Sequence, residues 1–485
     1  MIAPLLLFFA PVAGAETITA GLDIEARVLR GSPVTDARQI LLIAGLDGQS
    51  SPFLEKEMAA IEKSRPRYSL TVIALANPRR AALSFPPAGD AYRDNPESHT
   101  LWRWIGATAP DLVLISGSDP GNLKRALETE SPAGAGRVAV RRLESPGELR
   151  SALKQLPEKS QARREVERRL SRSPRQVAEL LSKHYGHELE EAVYIPAFAL
   201  IARLRLGQAA SVESITAPFV TGAKNSLAKP SSSHFSGHLL FAELAARTSN
   251  PRYTELVKNA AAFAFTETGA MRESMPLHNQ MSDSVFMGCP ILVQAGKLTG
   301  ERRYFDMALR HFRFMRKLDL RADGLWRHSP LDEAAWGRGN AFALLGMALA
   351  LDALPKDHEG FGEILGEYRS HAAALLARQE SLGMWRQVVD NAASYRELSA
   401  TAMIGRALSL GVRRGWLDAA PYRKAVDAAW RAVSARTGDD GQLIDVCEST
   451  GAQKSLRDYL NRKANLGLDP RGGAMVMLFA LEVAE

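Results

Sequence analysis

From about residue 175 onward the chain repeats itself. Gly269-Ala270-Met271-Arg272, Gly324-Leu325-Trp326-Arg327, Gly383-Met384-Trp385-Arg386 and Gly441-Gln442-Leu443-Ile444 follow one another at spacings of 55, 59 and 58 residues. A second series, Asn250-Pro251-Arg252-Tyr253, Glu301-Arg302-Arg303-Tyr304 and Ala420-Pro421-Tyr422, opens amphipathic stretches such as Tyr304-Phe305-x-x-Ala308-Leu309-x-x-Phe312. A period of this length holds two helices, so the unit is a helical hairpin. Residues 176–485 then give five to six hairpins. Open solenoids use shorter repeats, and five to six long hairpins suit a closed (α/α)6 toroid. In such a ring the inner helices surround a cleft. The Gly-x-Trp-Arg segments fall on rim loops, where their aromatics pack the hairpin tops.

Residues 16–155 follow a different pattern. Short apolar runs at Ile40–Ala44, Leu70–Ala74, Leu112–Ser116 and Val138–Val140 are bounded by turns such as Gly45-Leu46-Asp47-Gly48 and Asn77-Pro78. A helical stretch, Ser98–Ile105, lies between two of them. This alternation predicts a parallel sheet covered by helices. The expected architecture is therefore multidomain: an N-terminal α/β domain, then an all-α (α/α)6 toroid. Between them, at 156–175, Arg163, Arg164, Arg168, Arg169, Arg172 and Arg175 crowd one segment, broken by Glu165 and Glu167. No aromatics interleave with these arginines, so a solvated linker helix is expected rather than a nucleic-acid surface. The net charge of +7 suits an acidic polysaccharide.

Residues 1–15, MIAPLLLFFAPVAGA, are nearly all apolar and end in the small residues Ala13-Gly14-Ala15. They read as a cleaved export signal lacking the usual basic start, which predicts a periplasmic or secreted protein. No later apolar run is long enough to span a bilayer. Cys289 and Cys447 stand far apart without metal spacing, so buried free thiols are expected rather than a disulfide.

Chemistry concentrates in three segments of the helical half. Trp336-Gly337-Arg338-Gly339-Asn340 precedes the apolar stretch Ala341–Leu354. Its glycines permit close approach of backbone, and Arg338 offers a planar fork for a carboxylate. An aromatic beside an arginine at a helix N-terminus suits an anionic sugar; a plain turn before a helix is the alternative. Asp283 heads the apolar run Ser284–Val293. It is either an N-cap or an acid on the floor of the cleft, kept protonated by desolvation so that it can donate. Ser394-Tyr395-Arg396-Glu397-Leu398-Ser399-Ala400-Thr401 leads into a helix of small residues. Glu397 and Thr401 share one helical face there, which also fits a capping network.

Taken in order, these segments resemble the unsaturated rhamnogalacturonyl hydrolases and their relatives, the unsaturated glucuronyl hydrolases, over about residues 240–485. The likeness rests on Asp283-x-x-Phe286-Met287, Gly296-Lys297-Leu298-Thr299-Gly300 with Arg303-Tyr304, Gly324-Leu325-Trp326 with His328, Trp336–Asn340, Ser394–Met403 and Gly415-Trp416-Leu417. It implies an (α/α)6 barrel that needs no metal or organic cofactor. It also implies a substrate made by polysaccharide lyases, which leave a C4=C5 double bond on the terminal uronate of pectin or rhamnogalacturonan fragments. By the resemblance, Asp283 protonates C4 and water adds at C5. Arg338 and His328 hold the carboxylate or ring hydroxyls, and Trp336 and Phe342 form an apolar wall. Asn340 and Tyr395 complete the expected contacts. The chain departs from the family in two places. Ala341-Phe342 replaces the usual Gly-Trp, and His234-Phe235-Ser236-Gly237-His238 has no acid where relatives carry one, so that either His234 or His238 stands in or the site is altered. A non-catalytic binder of acidic oligosaccharides is the second reading, and an epimerase would need a His pair that is not evident. In the N-terminal half, Leu41–Ser50 resembles the strand and turn of zinc carboxypeptidases, with Asp47 in place of the His and Ser50 in place of the Glu, which implies a module without its metal.

Overall fold

The computed structural model describes residues 15–29, 37–51, 54, 57, 58, 60, 61, 68–145 and 147–485. The expected export signal lies outside these residues except for Ala15, which opens the first strand. The N-terminal part is a six-stranded sheet of β1 (Ala15–Gly21), β2 (Ile24–Leu29), β3 (Arg38–Ala44), β4 (Tyr68–Ile73), β5 (Leu112–Ser116) and β6 (Ala139–Leu143), in the order β1-β2-β4-β3-β5-β6. β3 through β6 pair in parallel, as the apolar runs predict. The sheet is not wholly parallel, however: β1 pairs antiparallel with β2, and β2 antiparallel with β4. The hairpin follows from Gly21-Leu22, both at positive φ, which turn the chain sharply. β2 alternates buried Ile24, Ala26 and Val28 with exposed Glu25 and Arg27, the period of a half-buried strand. Asp47 sits at the end of β3, where Ser118 Oγ donates to it at 2.6 Å and lowers its pKa.

The C-terminal part closes into a ring. Its inner layer is formed by the helices Tyr194–Arg205, Ser232–Gly237 with Leu239–Thr248, Ser284–Thr299, Gly337–Leu351, Leu398–Arg413 and Pro470–Ala484. Each inner helix packs on the next, and the last packs on the first. Pro174–Leu181, Ala209–Val220, Pro251–Ala262, Arg302–Asp319, Glu359–Leu376 and Ala419–Ala435 form the outer layer, which makes the architecture an (α/α)6 toroid. The burial patterns show why the helices sort this way. Every residue of Gly337–Leu351 except Leu349 is buried, whereas Arg302–Asp319 is apolar on one face only.

The repeat has a conformational origin. Gly269, Gly324, Gly383 and Gly441 have φ of 81°, 78°, 84° and 78°. Each donates its N–H to the carbonyl three residues back, at 2.8–3.2 Å, and so ends an outer helix in a tight turn toward the next inner one. A side chain at such a φ costs about 1–2 kcal/mol. A Cβ at position 269 would meet nothing within 4 Å, whereas at 383 it would lie 2.3 Å from the Ala428 carbonyl oxygen. In urea unfolding, Gly383→Ala is therefore expected to lose clearly more stability than Gly269→Ala. Equal losses would show that the repeat glycines answer to φ alone.

The basic segment is not a solvated linker. It forms the helices Gln161–Ser171 and Pro174–Leu181, with Arg163 and Arg169 buried. Arg169 donates to the Ala435 carbonyl at 3.2 Å, and Arg172 to those of Ser434 and Thr437 at 3.0 and 2.6 Å. The guanidinium heads thus satisfy carbonyls at the end of the outer helix Ala419–Ala435, while the arginine stems pack beneath them. The sheet docks on the ring through Arg396, which donates to the Thr19 and Ala20 carbonyls at 2.8 and 3.2 Å. Arg103 pairs with Asp445 at 2.7 Å. Both cysteines are buried and free. Among the described residues no helix is long and apolar enough to cross a membrane.

Candidate active site

The first turns of three inner helices meet at one rim. Asp283 immediately precedes Ser284–Thr299, yet its side chain makes no capping bond. Its carboxylate instead faces His328, with Oδ1 3.3 Å from Nε2. The two atoms are close without a well-aligned hydrogen bond, since neither has a bonded partner among the described residues. The other imidazole nitrogen, Nδ1, lies 2.8 Å from the Tyr459 hydroxyl, which accepts from the Gln453 N–H at 3.1 Å. With Nδ1 turned to the phenol, Nε2 is the ring nitrogen that faces Asp283. The His328 carbonyl also accepts the Ser282 N–H at 2.9 Å, tying the two segments together. Burial pushes the Tyr459 phenol up to about 12, so it remains a neutral donor.

The Trp336–Asn340 motif is built differently from its sequence reading. Trp336 is fully buried, with the His328 ring 4.4 Å away and the Arg338 guanidinium 4.7 Å from its ring centre. Arg338 is buried as well. It donates to the carbonyls of Cys447 at 2.8 Å and Glu448 at 2.7 Å, and to Ser399 Oγ at 3.2 Å. These bonds hold the Leu443–Cys447 strand against the ring, so Arg338 is not an open fork for a ligand. The glycines serve packing: a Cβ at 337 would lie 2.4 Å from the Arg386 carbonyl oxygen, and one at 339 would lie 2.8 Å from Ser282 Oγ. Asn340 braces the turn by accepting from Trp326 N–H and donating to the carbonyls of Trp326 and Trp336.

Four further expectations are corrected by burial. Phe342 is 2% exposed and packs edge-on with Tyr194 and tilted on Phe286, inside the core rather than on a sugar-facing wall. Tyr395 stacks on Tyr92 of the N-terminal part at 4.4 Å and belongs to the contact between sheet and ring. His234 bonds Ser231 through Nδ1, which closes the first turn of its short helix. His238 is wholly buried between Ser226 Oγ at 2.8 Å and the His234 carbonyl at 2.6 Å. Burial lowers its pKa to about 4, so it is a neutral structural histidine. Glu397 is the capping network foreseen as one alternative: its carboxylate accepts from Ser399 N, Ser399 Oγ, Ala400 N and Cys447 N.

Sequence reasoning missed Tyr194, Tyr459, Arg471 and Asp319. Arg471 opens the last inner helix, 3.2 Å from Asp469, and keeps 23% of its side chain exposed. Tyr194 lies close enough to Arg338, Arg471, Asp283 and Asp469 to feel their charges, though burial dominates its raised pKa. Arg471-Gly472 repeats the Arg338-Gly339 pattern at a helix start, a signal present in the sequence. Asp319 lies on the buried face of its helix, in step with Phe312 and Met315, which is also visible in the sequence.

Asp319 is 0% exposed, neither carboxyl oxygen has a hydrogen-bond partner among the described residues, and Arg327 Nε stands 3.8 Å off. Burial, reinforced by the nearby Asp283, pushes its pKa up to about 8 against the opposing pull of Arg327. The folded chain therefore keeps this proton to about pH 8, while the unfolded chain releases it near the ordinary value of 3.8. Between those limits the folded state holds the extra proton, so this group makes stability fall as pH rises, by up to about 1.4 kcal/mol per pH unit. Asp319→Asn is expected to flatten that slope between pH 5 and 8. Denaturation curves at several pH values would show it, and parallel pH profiles for the two proteins would refute the assignment.

Residues 213–485 match the family model described as Glycosyl Hydrolase Family 88. The chain is 28% identical over 209 residues to the unsaturated rhamnogalacturonyl hydrolase YesR of Bacillus subtilis (strain 168), a match covering 41% of this chain and 56% of that protein. It is 30% identical over 185 residues to an unsaturated 3S-rhamnoglycuronyl hydrolase of Formosa agariphila, covering 33% and 48%. The chain thus spans about half the length of these relatives. The fold matches that of a glycoside hydrolase from family 105 of C. acetobutylicum ATCC 824, with a TM-score of 0.53, 19% identity and coverage of 63% of this chain and 99% of that one. A family 88 glycosyl hydrolase from Bacteroides vulgatus matches with the same TM-score, at 15% identity and 64% and 99% coverage. With the family model spanning more than half of the sequence and the ring closing as six helix pairs, the chain belongs to glycosyl hydrolase family 88.

Proposed function

We propose that the ring removes 4,5-unsaturated uronic acid from the non-reducing end of lyase-generated oligosaccharides. The observation that carries this reading is the Asp283–His328–Tyr459 series, in which a buried acid faces an imidazole held by a phenol. In this mechanism Asp283 protonates C4 of the vinyl ether, and the positive charge that develops at C5 is shared with the ring oxygen. Water adds at C5 and returns its proton to Asp283, which thus serves as acid and then base. The resulting hemiketal opens to a 5-keto acid, and the hemiacetal left at C1 releases the rest of the oligosaccharide. No anomeric displacement occurs, so a second catalytic carboxylate is not required. The activities for which the Bacillus and Formosa relatives are named support this substrate class. The reading also includes export by way of the apolar run at residues 1–15.

Arg338 is bonded inside the fold, so the reading gives the substrate carboxylate to Arg471. Arg471→Met is expected to raise KM about tenfold or more while kcat changes little, as for a contact made equally in ground and transition states. An unchanged KM would remove Arg471 from the site. The activity itself is tested by following the ultraviolet absorbance of the C4=C5 bond with lyase products of pectin, rhamnogalacturonan, ulvan and glycosaminoglycans. Loss of absorbance on one of these supports hydrolysis. Saturable binding with no loss on any of them would assign the ring to oligosaccharide binding instead.

A further inference from the structure

The inner helices end at the rim opposite Asp283 around a cavity of about 170 Å³. Its walls include Phe198, Pro290 and Leu349, and Arg406 and Lys297 also line it. Arg406 comes from the helix Leu398–Arg413 and is 3% exposed, yet its Nε and Nη1 have no hydrogen-bond partner among the described residues. The nearest acid is Glu482 at 4.0 Å, beyond hydrogen-bond reach. A buried guanidinium is normally bonded on most of its edges, so this one lacks an acceptor.

The acids around the cavity already have their own cations. Glu482 binds Arg413 at 2.5 Å, Glu243 binds Arg247 at 2.9 Å and Arg205 at 3.4 Å, and Asp352 binds Arg414 at 2.5 Å. Glu485 also binds Arg413, at 3.0 Å, so the cations Arg205, Arg247, Arg406, Arg413, Arg414 and Lys297 still outnumber the acidic side chains Glu243, Asp352, Glu482 and Glu485. Helix carbonyl ends also converge on this rim and oppose an anion, but their influence fades within the last turn. Arg406 lies two turns inside its helix end, deeper than that influence reaches. Burial lowers its pKa to about 10, which still leaves it charged at neutral pH.

We propose that this cavity is a binding site for one small oxyanion or carboxylate, held by the Arg406 guanidinium with Lys297 closing the outer side. The space accepts an ion the size of phosphate or acetate and excludes an oligosaccharide. The site stands at the far end of the helix that begins beside Asp283, and it does not depend on the hydrolytic reading.

Equilibrium dialysis of the full chain against labelled inorganic phosphate at fixed ionic strength is the test, with acetate as a competitor to separate oxyanion from carboxylate preference. One phosphate per chain is expected to bind. Lys297 is exposed and outside the packed core, so Lys297→Gln keeps the fold and is expected to weaken binding about tenfold, as for loss of a charge-assisted bond. Arg406→Met keeps the apolar bulk without the charge and is expected to abolish binding. Asp283→Asn is expected to bind phosphate like the unaltered chain. Absence of saturable phosphate binding at millimolar concentrations would overturn the proposal, and so would equal affinity in Lys297→Gln.

Discussion

Asp283→Asn is expected to lower turnover of an unsaturated uronide by about 10²–10⁴-fold, the range removed with a positioned proton donor. The fold should survive, because the Asp283 side chain caps nothing and an amide of the same shape can keep its place beside His328. The comparison is clean for that reason. A lost N-cap would lower stability by about 0.5–2 kcal/mol and blur the kinetics, and no such bond exists here. The measurement is kcat from loss of the C4=C5 absorbance, alongside a thermal melt that should match the unaltered chain. A variant with the original rate would remove Asp283 from the reaction and with it the hydration mechanism.

Glu397→Ala is expected to be the most damaging of these changes to stability. The carboxylate is fully buried and accepts from two hydrogen-bond groups of Ser399 and from the N–H groups of Ala400 and Cys447. Its loss would strand three backbone donors and leave the buried Arg338 without the nearby negative charge it has now. Removing one member of a buried charged group in this way costs about 3–5 kcal/mol. Chemical denaturation would measure the loss, and a decrease under about 1 kcal/mol would show that the helix start is held by other contacts. Glu397→Gln should recover part of it, since a carbonyl oxygen remains to accept.

The ring was legible in the sequence because its repeat is written in residues that backbone geometry demands. Glycine at positive φ recurs every 55–59 residues, and inner helices such as Ser284–Thr299 and Gly337–Leu351 are buried on nearly every side. Asp283 was legible as an acid at the head of an apolar run, though only the structure shows that it faces His328 rather than capping its helix. The roles of Trp336, Arg338, Phe342 and Tyr395 were not legible, because a side chain's partners can lie a hundred residues away. Arg338 is taken by Cys447 and Glu448, and Tyr395 by Tyr92 of the N-terminal sheet. Tyr459 lies in a segment with no period and no repeat, so nothing local points to it. The β1–β2 hairpin was not legible, because its strands alternate apolar with polar residues instead of forming the continuous apolar runs that marked β3 and β5.

The joint between sheet and ring has a consequence for synthesis. The Thr19 and Ala20 carbonyls receive their donors from Arg396, 377 and 376 residues later. At about 5–20 residues per second the ribosome needs about 20–75 s to supply that arginine. β6 completes the sheet at Leu143, so for about 13–50 s of this interval β1 is an uncovered margin of a finished sheet, with β2 on one side only. An open margin of this kind pairs readily with another nascent chain. The ring, made last, therefore also protects the part made first, and an N-terminal fragment produced alone would self-associate along β1.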